Sequence, residues 1–100
     1  MIRSIRHKGL KRFYEDDDAR GIAAEHVKKL RDVLARLDAA GTLADLDLPM
    51  FRLHALRGDL KGFWAVTVRA NWRVVFRFED GDAFDVDYCD LSLKEVELCR

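Results

Sequence analysis

The chain contains no apolar run that approaches a membrane span, and only two cysteines, one proline and six glycines. A bilayer-crossing helix needs about 18 or more consecutive apolar residues. Cys89 and Cys99 are too few for a disulfide scaffold and lack the companions of a structural zinc site, so reduced thiols are the default expectation. The scarcity of Pro and Gly argues against disorder, collagen and linker-rich arrays. Net charge is absent too, because 18 basic and 18 acidic residues cancel to zero. Global attraction to nucleic acid or to an anionic membrane is thereby excluded, and any such partner must meet a local patch. The opening Met1-Ile-Arg-Ser-Ile-Arg6 has positive charge but no apolar stretch behind it, so it does not read as a signal peptide. A soluble, cytoplasmic protein is expected.

What remains is a chain of 100 residues, 49% of them hydrophobic. That is one domain, spanning 1–100, with enough apolar side chain for a single core. Val27, Leu30, Leu34 and Leu37 recur at helical spacing, with Ala23 one turn earlier and Gly41 placed as the residue just past the helix end. Leu10, Phe13 and Tyr14 predict a shorter helix before it. Ile2 to Ile5 reads as an opening strand. The second half is β-rich: Phe63–Arg69 and Trp72–Phe78 are dense in β-branched and aromatic residues, Ala83–Tyr88 follows an Asp80-Gly81 turn, and Phe51–Leu56 precedes Gly58. Helices first and an antiparallel sheet after predict an α+β fold, two N-terminal helices on one face of a small sheet.

A two-residue hairpin loop pairs residues of opposite parity. It would put Phe63, Ala65, Thr67, Trp72, Val74, Phe76 and Phe78 on the helix side. Trp64, Val66, Val68, Arg73, Val75 and Arg77 would then form a shallow cationic floor. Alternation also places Arg52 and His54 together, so His54, Arg57, Arg73 and Arg77 could converge. Charge is segregated in the same sense. Between 51 and 77, six cations stand against the single Asp59, whereas 79–90 carries six acids and no base. A histidine among cations suits RNA cleavage, which needs a base for the ribose 2′-hydroxyl, an acid for the departing 5′-oxygen and positive charge at the phosphorane. Taken alone, a histidine beside a leucine is more often simply half-buried.

Other features are weaker. His7 and His26 fall among Lys and Arg on expected helix surface. Trp64 and Trp72 could stack bases, Trp72 being the better core residue. Asp85, Asp87 and Asp90 lack the order of a metal site. Ser92-Leu-Lys-Glu95 fits a capping box opening a short helical tail with Leu93, Val96 and Leu98.

Several ordered segments are familiar: Ile2-Arg-Ser-Ile-Arg-His-Lys-Gly-Leu-Lys-Arg-Phe13, Arg52-Leu-His-Ala-Leu-Arg-Gly-Asp59, Gly62-Phe-Trp-Ala-Val-Thr-Val68, and Asn71-Trp-Arg-Val-Val-Phe-Arg-Phe-Glu-Asp-Gly-Asp82. Together with Val86-Asp-Tyr88 they cover about the first nine-tenths of the chain, which resembles the HigB branch of the RelE-like toxins, the plasmid maintenance killer family. The resemblance implies a compact sandwich acting as a ribosome-dependent endoribonuclease that cuts mRNA in the A site without metal or other cofactor. It also implies a helix-turn-helix antitoxin of the HigA type, the 70S ribosome and mRNA as partners, DNA only through the antitoxin, and no membrane. By position, His54, Arg57 (where the family often has Lys), Arg73 and Asp90 match its catalytic residues. Lys8, Lys11, Arg12, Lys61 and Arg77 are the candidate RNA contacts. Where the family closes in Asp-Tyr-His, this chain has Asp90-Leu91-Ser92, which leaves Tyr88 as a distant substitute. The alternative function is that of an impaired homologue that titrates the antitoxin.

Overall fold

The computed structural model describes residues 1–90, so the Ser92–Glu95 capping box and the helical tail lie outside the described residues. Two helices, α1 (Lys8–Asp16) and α2 (Val27–Ala39), precede four strands, β1 (His54–Ala55), β2 (Trp64–Arg69), β3 (Trp72–Glu79) and β4 (Asp82–Asp90). The strands form one antiparallel sheet in the order β1-β2-β3-β4. This is the expected α+β architecture, with the helices packed on one face of the sheet.

Helix α1 starts where the His7 ring accepts a hydrogen bond from the Leu10 amide, and it buries Leu10 and Phe13 one turn apart. It ends at Asp17, which takes the left-handed conformation (φ 54°) and donates its amide to Phe13 O. Helix α2 buries Leu30, Val33, Leu34 and Leu37, the stripe set by its 3.6-residue period. Gly41 stands just past its extended last cap, Ala40, where the Asp45 carboxylate accepts the Gly41 amide at 2.9 Å. Gly9 of α1 meets Gly21 backbone to backbone. A Cβ on Gly9 would lie 2.7 Å from the Gly21 carbonyl oxygen, so only glycine lets α1 seat there.

Three sequence expectations change. Ile2 to Ile5 is not a full strand: it makes single parallel bridges to the edge of β4 at Ala83 and Val86. The expected strand 51–56 shrinks to His54–Ala55, because Phe51 and Arg52 belong to a turn in which both amides donate to Leu48 O. Cys89 is disulfide-bonded rather than a free thiol, so the default reading from low cysteine content fails at this residue.

The hairpin faces change as well. At the turn Arg69 pairs with Trp72, as a two-residue loop requires, but Thr67 pairs with Arg73. One extra residue in β2 between those pairs is a β-bulge, and a one-residue slip moves every later side chain to the other face. From there Trp64 faces Phe76 and Val66 faces Val74. The helix side therefore carries Trp64, Val66, Val68, Trp72, Val74, Phe76 and Phe78, all within or against the main core. Ala65 and Thr67, expected on that side, lie on the opposite face with Arg73, Val75 and Arg77. A second, smaller core of Leu56, Leu60, Ala65, Val75 and Cys89, flanked by Phe63, covers part of that face.

Candidate active site

His54 lies on the face opposite the helices. Its row across the sheet is His54–Ala65–Val75–Asp87, and the next row holds Thr67, Arg73 and Cys89. His54 and Arg73 are thus two strands and two residues apart, about 10 Å across and about 7 Å along the sheet. Between them lie Ala65 and Val75, fully buried in the second core with Leu56, Leu60 and Cys89. The Arg73 guanidinium now donates to Ala70 O at 2.6 Å and Trp72 O at 3.2 Å, folded back on the hairpin turn. Across from it, the Thr67 hydroxyl is buried with no hydrogen-bond partner among the described residues. Buried polar atoms are rarely left so. His54 Nδ1 donates to Arg52 O at 3.1 Å.

The remaining candidates are spread around this pair. Arg57 and Lys61 flank a short 3₁₀ turn, Gly58–Leu60, at the exposed edge beyond β1. Arg77 lies toward the far end of β3, where Asp85 (3.0 Å) and Glu79 (3.2 Å) both engage it and its guanidinium stacks on Phe84. Asp90 pairs with Trp72, so strand alternation places it on the helix face rather than beside Arg73. Lys8, Lys11 and Arg12 project from α1, on the helix layer, and are exposed.

The structure sorts the cations. Among the described residues, Arg3, Arg20, Arg31, Arg36, Arg69 and Arg77 each sit in an ion pair with a carboxylate. Arg52, Arg57, Lys61 and Arg73 make none with a described carboxylate, and neither do Arg6, Lys8, Lys11, Arg12, Lys28 and Lys29. Arg52 and Arg57 lie close to His54 along the chain, and Arg73 shares its sheet face.

Two residues read from sequence as surface or substitute have another role. His26 was expected on an exposed helix face, yet it is 2% exposed and its Nδ1 is hydrogen-bonded to the Tyr88 hydroxyl. The Tyr88 ring also packs against Trp72 (4.8 Å between centroids) and His7 (5.3 Å). Burial, with the Glu25 charge second, pushes the Tyr88 phenol up to about 12. Tyr88 therefore sits on the helix face as a neutral core residue, turned away from Arg73, and cannot substitute for an active-site tyrosine. Trp64, proposed as a base platform on the arginine face, packs against the main core as well. Their partners are far off in sequence, which is why spacing alone did not reveal them.

A two-helix layer over a four-strand antiparallel sheet is the fold of the small RelE-like toxins. The fold agrees with a chain of the YoeB–YefM complex from Staphylococcus aureus, with a TM-score of 0.54, 16% identity, and coverage of 86% of this chain and 92% of that one. The branch is narrower still. The model of the HigB-like family, RelE-like toxins of type II toxin–antitoxin systems, matches residues 3–91, and the chain belongs to that family. It is 42% identical over 90 residues to Endoribonuclease HigB of Proteus vulgaris, covering 90% of this chain and 98% of that one. Toxin HigB-1 of Vibrio cholerae serotype O1 is 33% identical over 87 residues, covering 85% and 92%.

Proposed function

We propose that the protein is the toxin of a type II pair and an endoribonuclease that cuts mRNA in the ribosomal A site. The observation that carries this reading is the placing of His54 and Arg73 on one sheet face, with Arg57 and Lys61 at the two ends of the turn that follows β1. His54 handles the proton of the attacking 2′-hydroxyl. Arg73 swings from the Ala70 and Trp72 carbonyls onto the scissile phosphate, where a guanidinium can bind two oxygens at once. Arg57 and Lys61 add charge at the edge. Asp90, on the helix face with Tyr88, takes no part in this step. Lys8, Lys11 and Arg12 contact ribosomal RNA, with Arg77 a weaker contact because its acids already hold it. The partner is a helix-turn-helix antitoxin of the HigA type, and DNA is reached only through it.

Replacing Arg73 with Ala should abolish growth arrest, and a variant as toxic as the parent would remove Arg73 from the mechanism. One observation favours a second reading, in which the chain binds and titrates antitoxin without cutting. Leu91 and Ser92 stand in place of the family's Tyr-His, and Tyr88 is committed to His26 on the other face. In that case an Arg73→Ala variant and the parent would be equally harmless yet equally able to bind antitoxin.

A further inference from the structure

The segment before β1 does something the sequence did not foresee. Arg52 is held in the left-handed region (φ 49°), where a residue with a long side chain is strained. It is kept there from both sides. Its amide donates to Leu48 O (3.3 Å). The preceding residue, Phe51, is fully buried, donates its own amide to Leu48 O (2.9 Å), and accepts the Thr67 amide at its carbonyl (2.6 Å). The turn that replaces the expected strand brings the Arg52 carbonyl to 3.1 Å from His54 Nδ1. A carbonyl oxygen can only accept, so the ring nitrogen facing it carries the hydrogen. The lone pair of the neutral ring is then on Nε2, the nitrogen that remains for substrate.

We propose that the Arg52 peptide is a positioning group that fixes His54 in its Nδ1–H tautomer and so makes Nε2 the proton acceptor in RNA cleavage. The inference rests on the ribonuclease reading for its consequence, though not for its geometry. In the step it describes, Nε2 takes the 2′-hydroxyl proton as the 2′-oxygen bonds to phosphorus. The bond from phosphorus to the 5′-oxygen breaks, and that oxygen takes up a proton from the imidazolium or from water. The products are a 2′,3′-cyclic phosphate and a free 5′-hydroxyl. Backbone strain held next to a histidine is the arrangement expected where a ring must keep one orientation.

The tautomer can be read without RNA, from ¹H–¹⁵N correlation spectra of the neutral imidazole ring in the full chain. The parent should show His54 protonated on Nδ1. Arg52→Gly, which accepts a positive φ freely, should keep that signature. Arg52→Val, whose branched side chain resists it, should lose the Nδ1–H form in favour of Nε2–H, and its cleavage rate should fall at least tenfold below that of Arg52→Gly. A parent protonated on Nε2, or identical spectra for the two variants, would overturn the proposal. Should Arg52→Val not fold, the parent and Arg52→Gly spectra still decide it. A chain with the Nδ1–H signature that cuts no RNA would refute the ribonuclease reading alone. A cutting chain protonated on Nε2 would refute only this one.

Discussion

Replacing Tyr88 with Phe separates a core tyrosine from a catalytic one. The hydroxyl meets His26 Nδ1 in a cluster where Tyr88 is 5% and His26 2% exposed. Removing it leaves a buried ring nitrogen without its partner while changing little else. A buried polar group stripped of its hydrogen bond loses about 1–3 kcal/mol. At about 4–8 °C per kcal/mol for a domain of this size, 2 kcal/mol lowers Tm by roughly 8–16 °C. Thermal unfolding followed by circular dichroism measures this, and cleavage by the same preparation, assayed well below the lower Tm, should stay within a few-fold of the parent. The pH dependence has a definite sign. The folded phenol titrates at about 12 against an ordinary 10. Its contribution is therefore complete below pH 10 and is lost as pH rises from 10 towards 12. The gap between parent and variant should close over that window. A variant as stable as the parent would refute the buried pair, and a stably folded variant that no longer cuts would put Tyr88 back into the chemistry.

Gly9→Ala should lower Tm, although the same change on an open helix face would gain about 1 kcal/mol. The new Cβ meets the Gly21 carbonyl at 2.7 Å, backbone that cannot move aside, and overpacking of this kind costs about 1–3 kcal/mol; a raised Tm would contradict the close approach. His54→Ala should reduce cleavage by about 10²–10⁴-fold, the usual worth of a general acid–base group, with Tm close to the parent's because the ring is only half-buried. Arg77→Ala should reduce cleavage far less than Arg73→Ala, since Asp85 and Glu79 already hold that guanidinium; equal losses would show that Arg77 binds substrate despite them.

Helices α1 and α2 could be read from the sequence because their apolar residues follow one period and their opposite faces are charged. The hairpin could be read as a hairpin, but not its faces. Both parities of β2 are apolar, Trp64, Val66 and Val68 on one and Phe63 and Ala65 on the other, so the pattern could not detect a one-residue bulge that swaps them. His54 and Arg73 nevertheless came out on one side, because β1 and β3 each keep that side while only β2 is inverted. The Arg52 turn was hidden for a different reason. An Arg-Leu-His-Ala-Leu run alternates like a strand, and nothing local signals that buried Phe51 and the Thr67 amide hold the chain in a left-handed turn. His26 and Tyr88 are 62 residues apart, beyond the reach of any spacing rule, and charge counts alone could not separate paired arginines from unpaired ones.

The central claim is that the His54–Arg73 face cuts RNA on the ribosome. The direct measurement is mRNA cleavage in a purified translation mixture, mapped by primer extension with and without 70S ribosomes. The account predicts cuts within codons only when ribosomes are present, and none with the Arg73→Ala protein. Folded protein that binds its antitoxin but leaves mRNA whole on ribosomes would contradict it and leave the antitoxin-titrating function in its place.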